Sequence, residues 1–188
     1  MKLNSKSAVV LALATISVGA IAQTTSATGF ITLLSQTGNV YNYDISITNT
    51  GTSGIGTLWY AWNPGQDYLP TMPTSVGTPA GWTLDGITHG DSGDGYGIHW
   101  GGGTLASGAT LDGFLFSSTD SPAVLGGFTT VPDYNGQQQP VGDTFVYAGD
   151  AFVSASYDLV INPVPAPSGF FGLLPFAGIA ILAARRRR

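Results

Sequence analysis

The sequence predicts an all-β body, an antiparallel β-sandwich of the jelly-roll or immunoglobulin-like kind, followed by a short C-terminal transmembrane helix. Three observations carry this reading. Between residues 23 and 161 the chain is dominated by Gly, Thr, Ser and aromatics, which suit strands and turns and are poor helix formers. Short apolar runs in that region are separated by Gly and Pro turns with no helical stretch between them, the pattern of antiparallel sheets. The chain then ends in an apolar stretch, residues 170–184, closed by four consecutive arginines. With no cysteine, the body has no disulfide staples and rests on its own core. Roughly 140 residues suffice for that, because domains of this size bury about two-thirds of the surface their unfolded chain exposes.

Taken in order, residues 1–22 read as a secretory signal peptide. Lys2 and Lys6 give a basic start, residues 8–20 an apolar stretch, and Ala20-Ile21-Ala22 a small-x-small cleavage pattern. The apolar stretch falls short of the ~20 residues a spanning helix needs, so export through the Sec translocon with cleavage after Ala22 is expected. The body, residues 23–161, opens with a hairpin: residues 29–35, a turn at Gly38-Asn39, and a strand over residues 40–48. In that strand Tyr41, Tyr43, Ile45 and Ile47 alternate with Asn42, Asp44, Ser46 and Thr48, a period of two that puts one set on a buried face. Further strands are predicted at residues 55–62, 82–89, 96–100, 110–117, 124–130, 144–147 and 157–161. Loops fall at residues 63–65, 70–79, 90–95, 101–103 and 132–140. No internal repeat is visible.

Residues 162–169 break the pattern. Alternate prolines cannot join a central sheet and favour an extended spacer. Residues 170–188 are the membrane segment and arginine tail. A helix over residues 170–184 spans about 22 Å, short of the ~30 Å hydrocarbon core, and Arg185, Arg186, Arg187 and Arg188 stop transfer on the cytoplasmic side.

Charge placement excludes one class of function. All six basic residues (Lys2, Lys6 and the four arginines) lie in the terminal segments, and all eleven acidic residues are Asp. A body without Lys or Arg repels polyphosphates, so nucleic acid is excluded as a partner.

Val164-Pro165-Ala166-Pro167-Ser168, followed by a Gly-containing apolar stretch and terminal arginines, resembles a PEP-CTERM sorting signal. The resemblance covers about the last 25 residues. It departs from the family's Pro-Glu-Pro in having Pro165-Ala166-Pro167. The resemblance implies that an exosortase, a sortase-like membrane transpeptidase, processes the chain around Val164 to Ser168 and removes the helix and arginines. It also implies transient residence in the inner membrane, then the cell surface or an exopolysaccharide-containing extracellular matrix.

Within the body, His89-Gly90-Asp91-Ser92-Gly93-Asp94-Gly95 is the densest polar run. Asp91 and Asp94 offer oxygen ligands to calcium, although their spacing is not that of an EF-hand. A plain Asp/Gly turn is the competing reading, and zinc on His89, Asp91 and His99 a third. The nucleophile elbow Gly-x-Ser-x-Gly is absent, and no cysteine can serve as nucleophile. The body is therefore expected to be non-catalytic, with a secreted hydrolase the least favoured alternative. Trp59, Trp62, Trp82 and Trp100 either build the core or stack on sugar rings of an exopolysaccharide. Consecutive Trp59 and Tyr60 on one strand must face opposite sides.

Overall fold

A computed structural model of the chain describes residues 22–90, 95–130, 132–133 and 135–164. The predicted hairpin is there: β1 (Ala27–Thr37) pairs antiparallel with β2 (Val40–Asn49) across the Gly38-Asn39 turn. In β2 Tyr43, Ile45 and Ile47 are almost fully buried as expected, while Tyr41 is only partly buried and Ser46, of the polar set, is buried as well. Then follow β3 (Thr57–Tyr60), β4 (Trp62–Asn63), β5 (Gln66–Asp67), β6 (Ser75–Val76), β7 (Thr83–His89), β8 (Tyr96–Gly101) and β9 (Thr110–Ser118). After a one-turn helix α1 (Pro122–Leu125), β10 (Asp143–Tyr147) and β11 (Ser156–Val160) complete the body.

The strands form two antiparallel sheets, one ordered β1-β2-β9-β6 and the other β11-β10-β3-β8-β7, with β4 and β5 as a separate ribbon. One apolar core lies between them. Ile31, Tyr43, Ile45, Ile47, Phe114 and Phe116 come from the first sheet, and Leu58, Tyr60, Ile98, Trp100 and Val146 from the second. This is an all-β sandwich. Its polar contacts follow the same economy: the Tyr43 hydroxyl donates to the Asp120 carbonyl (2.7 Å), and Trp100 Nε1 donates to the Gly77 carbonyl (3.0 Å).

Three expectations are corrected. Residues 124–130 are not a strand. Ser121-Pro122 starts α1 instead, with Ser121 Oγ accepting from the Val124 amide, Pro at the first turn and Gly126 at the end. Only a single bridge, Phe128 to Pro140, follows it. The strand expected over residues 55–62 is broken, because Ile55 makes only an isolated bridge to Leu105 and Ala61 sits at φ 55°. Third, the loop expected over residues 70–79 contributes β6, which pairs with β9.

Beyond β11 the chain crosses to the other sheet. Ile31 donates its amide to the Asn162 carbonyl and accepts from the Val164 amide, with Pro163 in a parallel bridge alongside. The start of the proline segment is thus laid along the edge of β1. No described helix is long and apolar enough to cross a membrane. Residues 1–21 and 165–188, which hold the signal-peptide core and the expected sorting helix, lie outside the described residues.

Candidate functional site

The outer side of the five-stranded sheet is built from a row set by strand register. Asp158 of β11 faces Phe145 of β10, Phe145 faces Trp59 of β3, Trp59 faces His99 of β8, and His99 faces Gly86 of β7. The His99 ring lies flat on Trp59, with centroids 4.1 Å apart and planes 9° from parallel. Gly86 sits at a register shift in β7 with φ 152°, a conformation that side chains rarely adopt, and packs beneath the His99 ring at ordinary van der Waals distance.

Trp62 joins the row by breaking the strand period. In a regular strand it would share a side with Tyr60. The left-handed conformation of Ala61 turns the chain, so Tyr60 and Ala61 both enter the inner core while Trp59 and Trp62 pack together outside it. Their centroids are 4.3 Å apart. A single extra residue on one side of a strand acts in the same way as a bulge, re-aiming the side chain that follows. Ala61 meets this need at a cost of roughly 1–2 kcal/mol for a non-glycine residue.

Phe152 covers the two tryptophans. It lies in the turn between β10 and β11, edge-on to Trp59 (5.3 Å) and Trp62 (5.6 Å) and tilted against Tyr147 (5.8 Å). Its φ of 66° is also left-handed, and the residue is 64% exposed. The turn is anchored beneath it: Ser154 Oγ accepts from the Gly149 amide and donates to the Asp150 carbonyl, and Thr57 Oγ1 donates to the Gly149 carbonyl. Within this cluster Trp59 Nε1 is buried with no hydrogen-bond partner.

Carboxyl groups surround the aromatics. Asp67, on the β4–β5 ribbon, is buried and accepts from Thr88 Oγ1 at 2.7 Å; burial pushes its pKa up. Gly97 makes this fit, since a Cβ there would meet Asp67 Oδ1 at 2.4 Å. The Asp85 carboxylate lies over Gly101. Asp143 and Asp158 share a hydrogen bond, and burial, then that contact and the neighbouring charge, raise the Asp143 pKa to about 7. Burial lowers the His99 pKa, only partly countered by Asp85 and Asp67, so the ring stacked on Trp59 is the neutral imidazole at neutral pH.

The four tryptophans therefore separate. Trp100 is fully buried in the inner core, and Trp82 is buried there edge-on to Phe114. Both belong to the inner core cluster, the core-packing alternative of the two that the sequence left open. Trp59 and Trp62 come together on the outer side. Asp91 and Asp94 lie outside the described residues. His89 stacks on Tyr96 and its Nδ1 bonds the Gly95 carbonyl, while His99 is committed to Trp59. Among the described residues no group of three His, Cys, Asp or Glu side chains is placed to hold a metal. Of the processing motif only Val164 is described, and Ala22 is the first described residue.

Sequence reasoning missed the Asp143–Asp158 pair and Phe152. The pair is diagonal across β10 and β11, visible only once their register is known.

No family model matches the chain, and no similar curated protein is found. Among solved structures, the GH20 exo-β-N-acetylglucosaminidase from Vibrio harveyi is similar, both as an inactive mutant and in complex with N-acetylglucosamine. Each aligns with a TM-score of 0.41 and 10% identity over 74% of this chain. The aligned part is 18% of the length of those enzyme chains, and at this level of likeness their chemistry does not transfer.

Proposed function

We propose that this is an exported, non-catalytic protein of the cell surface or extracellular matrix, carried by Sec and sorted by an exosortase through its C-terminal tail. The observation that carries the reading is the three-part tail: Val164-Pro165-Ala166-Pro167-Ser168, an apolar stretch, and Arg185 to Arg188. Charge placement supports it, because every Lys and Arg lies in a segment that export and sorting would remove. What remains is a cysteine-free acidic sandwich. Its chain passes between the two sheets from β2 to β3, from β3 by way of the ribbon to β6, and from β6 to β7, β8 to β9 and β9 to β10, crossings that a jelly-roll and an immunoglobulin-like connection both contain. Mass spectrometry of the mature protein tests the proposal. A C-terminus between Val164 and Ser168 is expected, and an intact chain ending in Arg188 refutes processing.

A second reading, a carbohydrate-binding module for exopolysaccharide, is favoured by one observation: Trp59 and Trp62 paired on the outer side of a sheet, with Trp59 Nε1 lacking an acceptor. A polysaccharide pull-down tests it, with retention on the host's own exopolysaccharide expected. The hydrolase reading has no comparable support.

A further inference from the structure

We propose that the outer cluster is a binding site for an uncharged pyranose ring, closed in this structure by Phe152, which occupies the sugar's place. This rests on the carbohydrate-binding reading and assigns its site, its ligand class and its gate.

The placement of Phe152 is the first argument. Trp59 and Trp62 lie outside the sandwich interior, yet they are only 9% and 5% exposed, because the ribbon, the neighbouring rings and Phe152 shield them. A ring serving as a structural plug would bury itself in doing so. Phe152 does not: it is 64% exposed, its neighbour Val153 is 83% exposed, and its backbone is held in a conformation that bulky side chains avoid. A six-membered sugar ring matches a phenyl ring in width and presents C–H groups to an aromatic partner.

The second argument is independent. Trp59 Nε1 is a donor without an acceptor, in a residue nine-tenths buried. Leaving such a group unpaired is costly, and a ligand hydroxyl satisfies it. The phenyl ring of Phe152 offers that donor no acceptor; a polyol hydroxyl does.

Charge then selects the ligand class. No Lys or Arg is present among the described residues, while Asp67, Asp85, Asp143 and Asp158 ring the cluster. A uronate or a sulfated sugar finds no cationic partner there and meets the Asp85 and Asp158 carboxylates. A neutral hexose carries no charge for them to repel.

The test uses the full chain, titrated with neutral gluco-, galacto- and manno-oligosaccharides and with a polyuronate, read by calorimetry and tryptophan fluorescence. Binding of at least one neutral oligosaccharide is expected, and none of the polyuronate. Phe152→Gly removes the lid and its backbone strain; where the closed form holds about nine molecules in ten, affinity rises about tenfold. Trp59→Phe keeps an aromatic face but lacks Nε1, and weakens binding about tenfold. Unchanged circular dichroism and melting show that both variants fold. Neutral-sugar binding indifferent to both substitutions overturns this site while leaving the carbohydrate-binding reading intact. No binding by the wild type or by Phe152→Gly overturns both. Preference for the polyuronate overturns the assigned ligand class.

Discussion

The two sides of the five-stranded sheet carry two aromatic clusters with opposite construction. On the inner side Tyr60 and Trp100 meet Phe114, Phe116 and Tyr43 of the facing sheet, so each ring is enclosed by two layers of protein. On the outer side Trp59, Trp62 and Tyr147 have one sheet beneath them, a two-strand ribbon beside them and a single exposed phenyl ring above. Polar groups divide the same way, with one exception. The inner Trp100 Nε1 and Tyr43 hydroxyl have carbonyl acceptors, whereas the outer Trp59 Nε1 and Asn63 Oδ1 have no partner. The exception is the Tyr60 hydroxyl, buried in the inner core without a partner, whose pKa burial pushes far up. The lesson is that equal burial does not mean equal commitment. The inner rings are enclosed by the fold itself; the outer ones are enclosed by a loop.

The largest expected effect separates the two sides directly. Trp100→Ala should cost about 3–5 kcal/mol, as truncation of an enclosed aromatic does, and should strand the Gly77 carbonyl. Trp59→Ala should cost roughly half as much, because Phe152 and the turn that bears it can settle into the gap. Urea denaturation of both variants checks the pair, and equal losses would erase the distinction.

Next comes the residue that makes the outer cluster possible. Ala61→Val puts a β-branched side chain at φ 55° and inside the inner core, and should destabilise by about 2–3 kcal/mol. A near-ultraviolet circular dichroism change from the displaced Trp62 should accompany the loss.

The acidic rim sharpens the comparison through pH. Asp143 in the folded protein keeps its proton to about pH 7, while in the unfolded chain it loses it near the ordinary value of 3.8. Between those values the folded state binds more protons, so stability falls as pH rises across the window, by at most about 1.4 kcal/mol per pH unit for one proton. Asp143→Asn should flatten that slope in thermal melts taken from pH 4 to pH 8, and an unaltered slope would show that this pair is not its source. The smallest effect lies away from both clusters. Ser121→Ala removes the cap of α1 and should cost about 0.5–1 kcal/mol, measurable as a small drop in melting temperature.

Much of the fold was legible because it rests on local rules. The period-two alternation of Tyr43, Ile45 and Ile47, the Gly38-Asn39 turn and the strands at 82–89, 96–100 and 110–117 each follow from a few adjacent residues. Local rules also explain one error, since Ser121-Pro122 is a helix-start signal that the apolar run after it concealed. The parting of Trp59 from Tyr60 followed from strand geometry alone.

Composition and spacing alone point to an all-β body with no cysteine to staple it, and place all Lys and Arg in the terminal segments. Those properties depend on which residues are present and on their spacing. Only the tertiary structure decided which tryptophans lie inside, that Ala61 turns Trp62 outward beside Trp59, that Asp143 meets Asp158, and that Phe152 closes the cluster. Each of these depends on strand register and on one left-handed residue. Register is fixed by the sum of contacts across two sheets, a quantity that no single stretch of the chain contains.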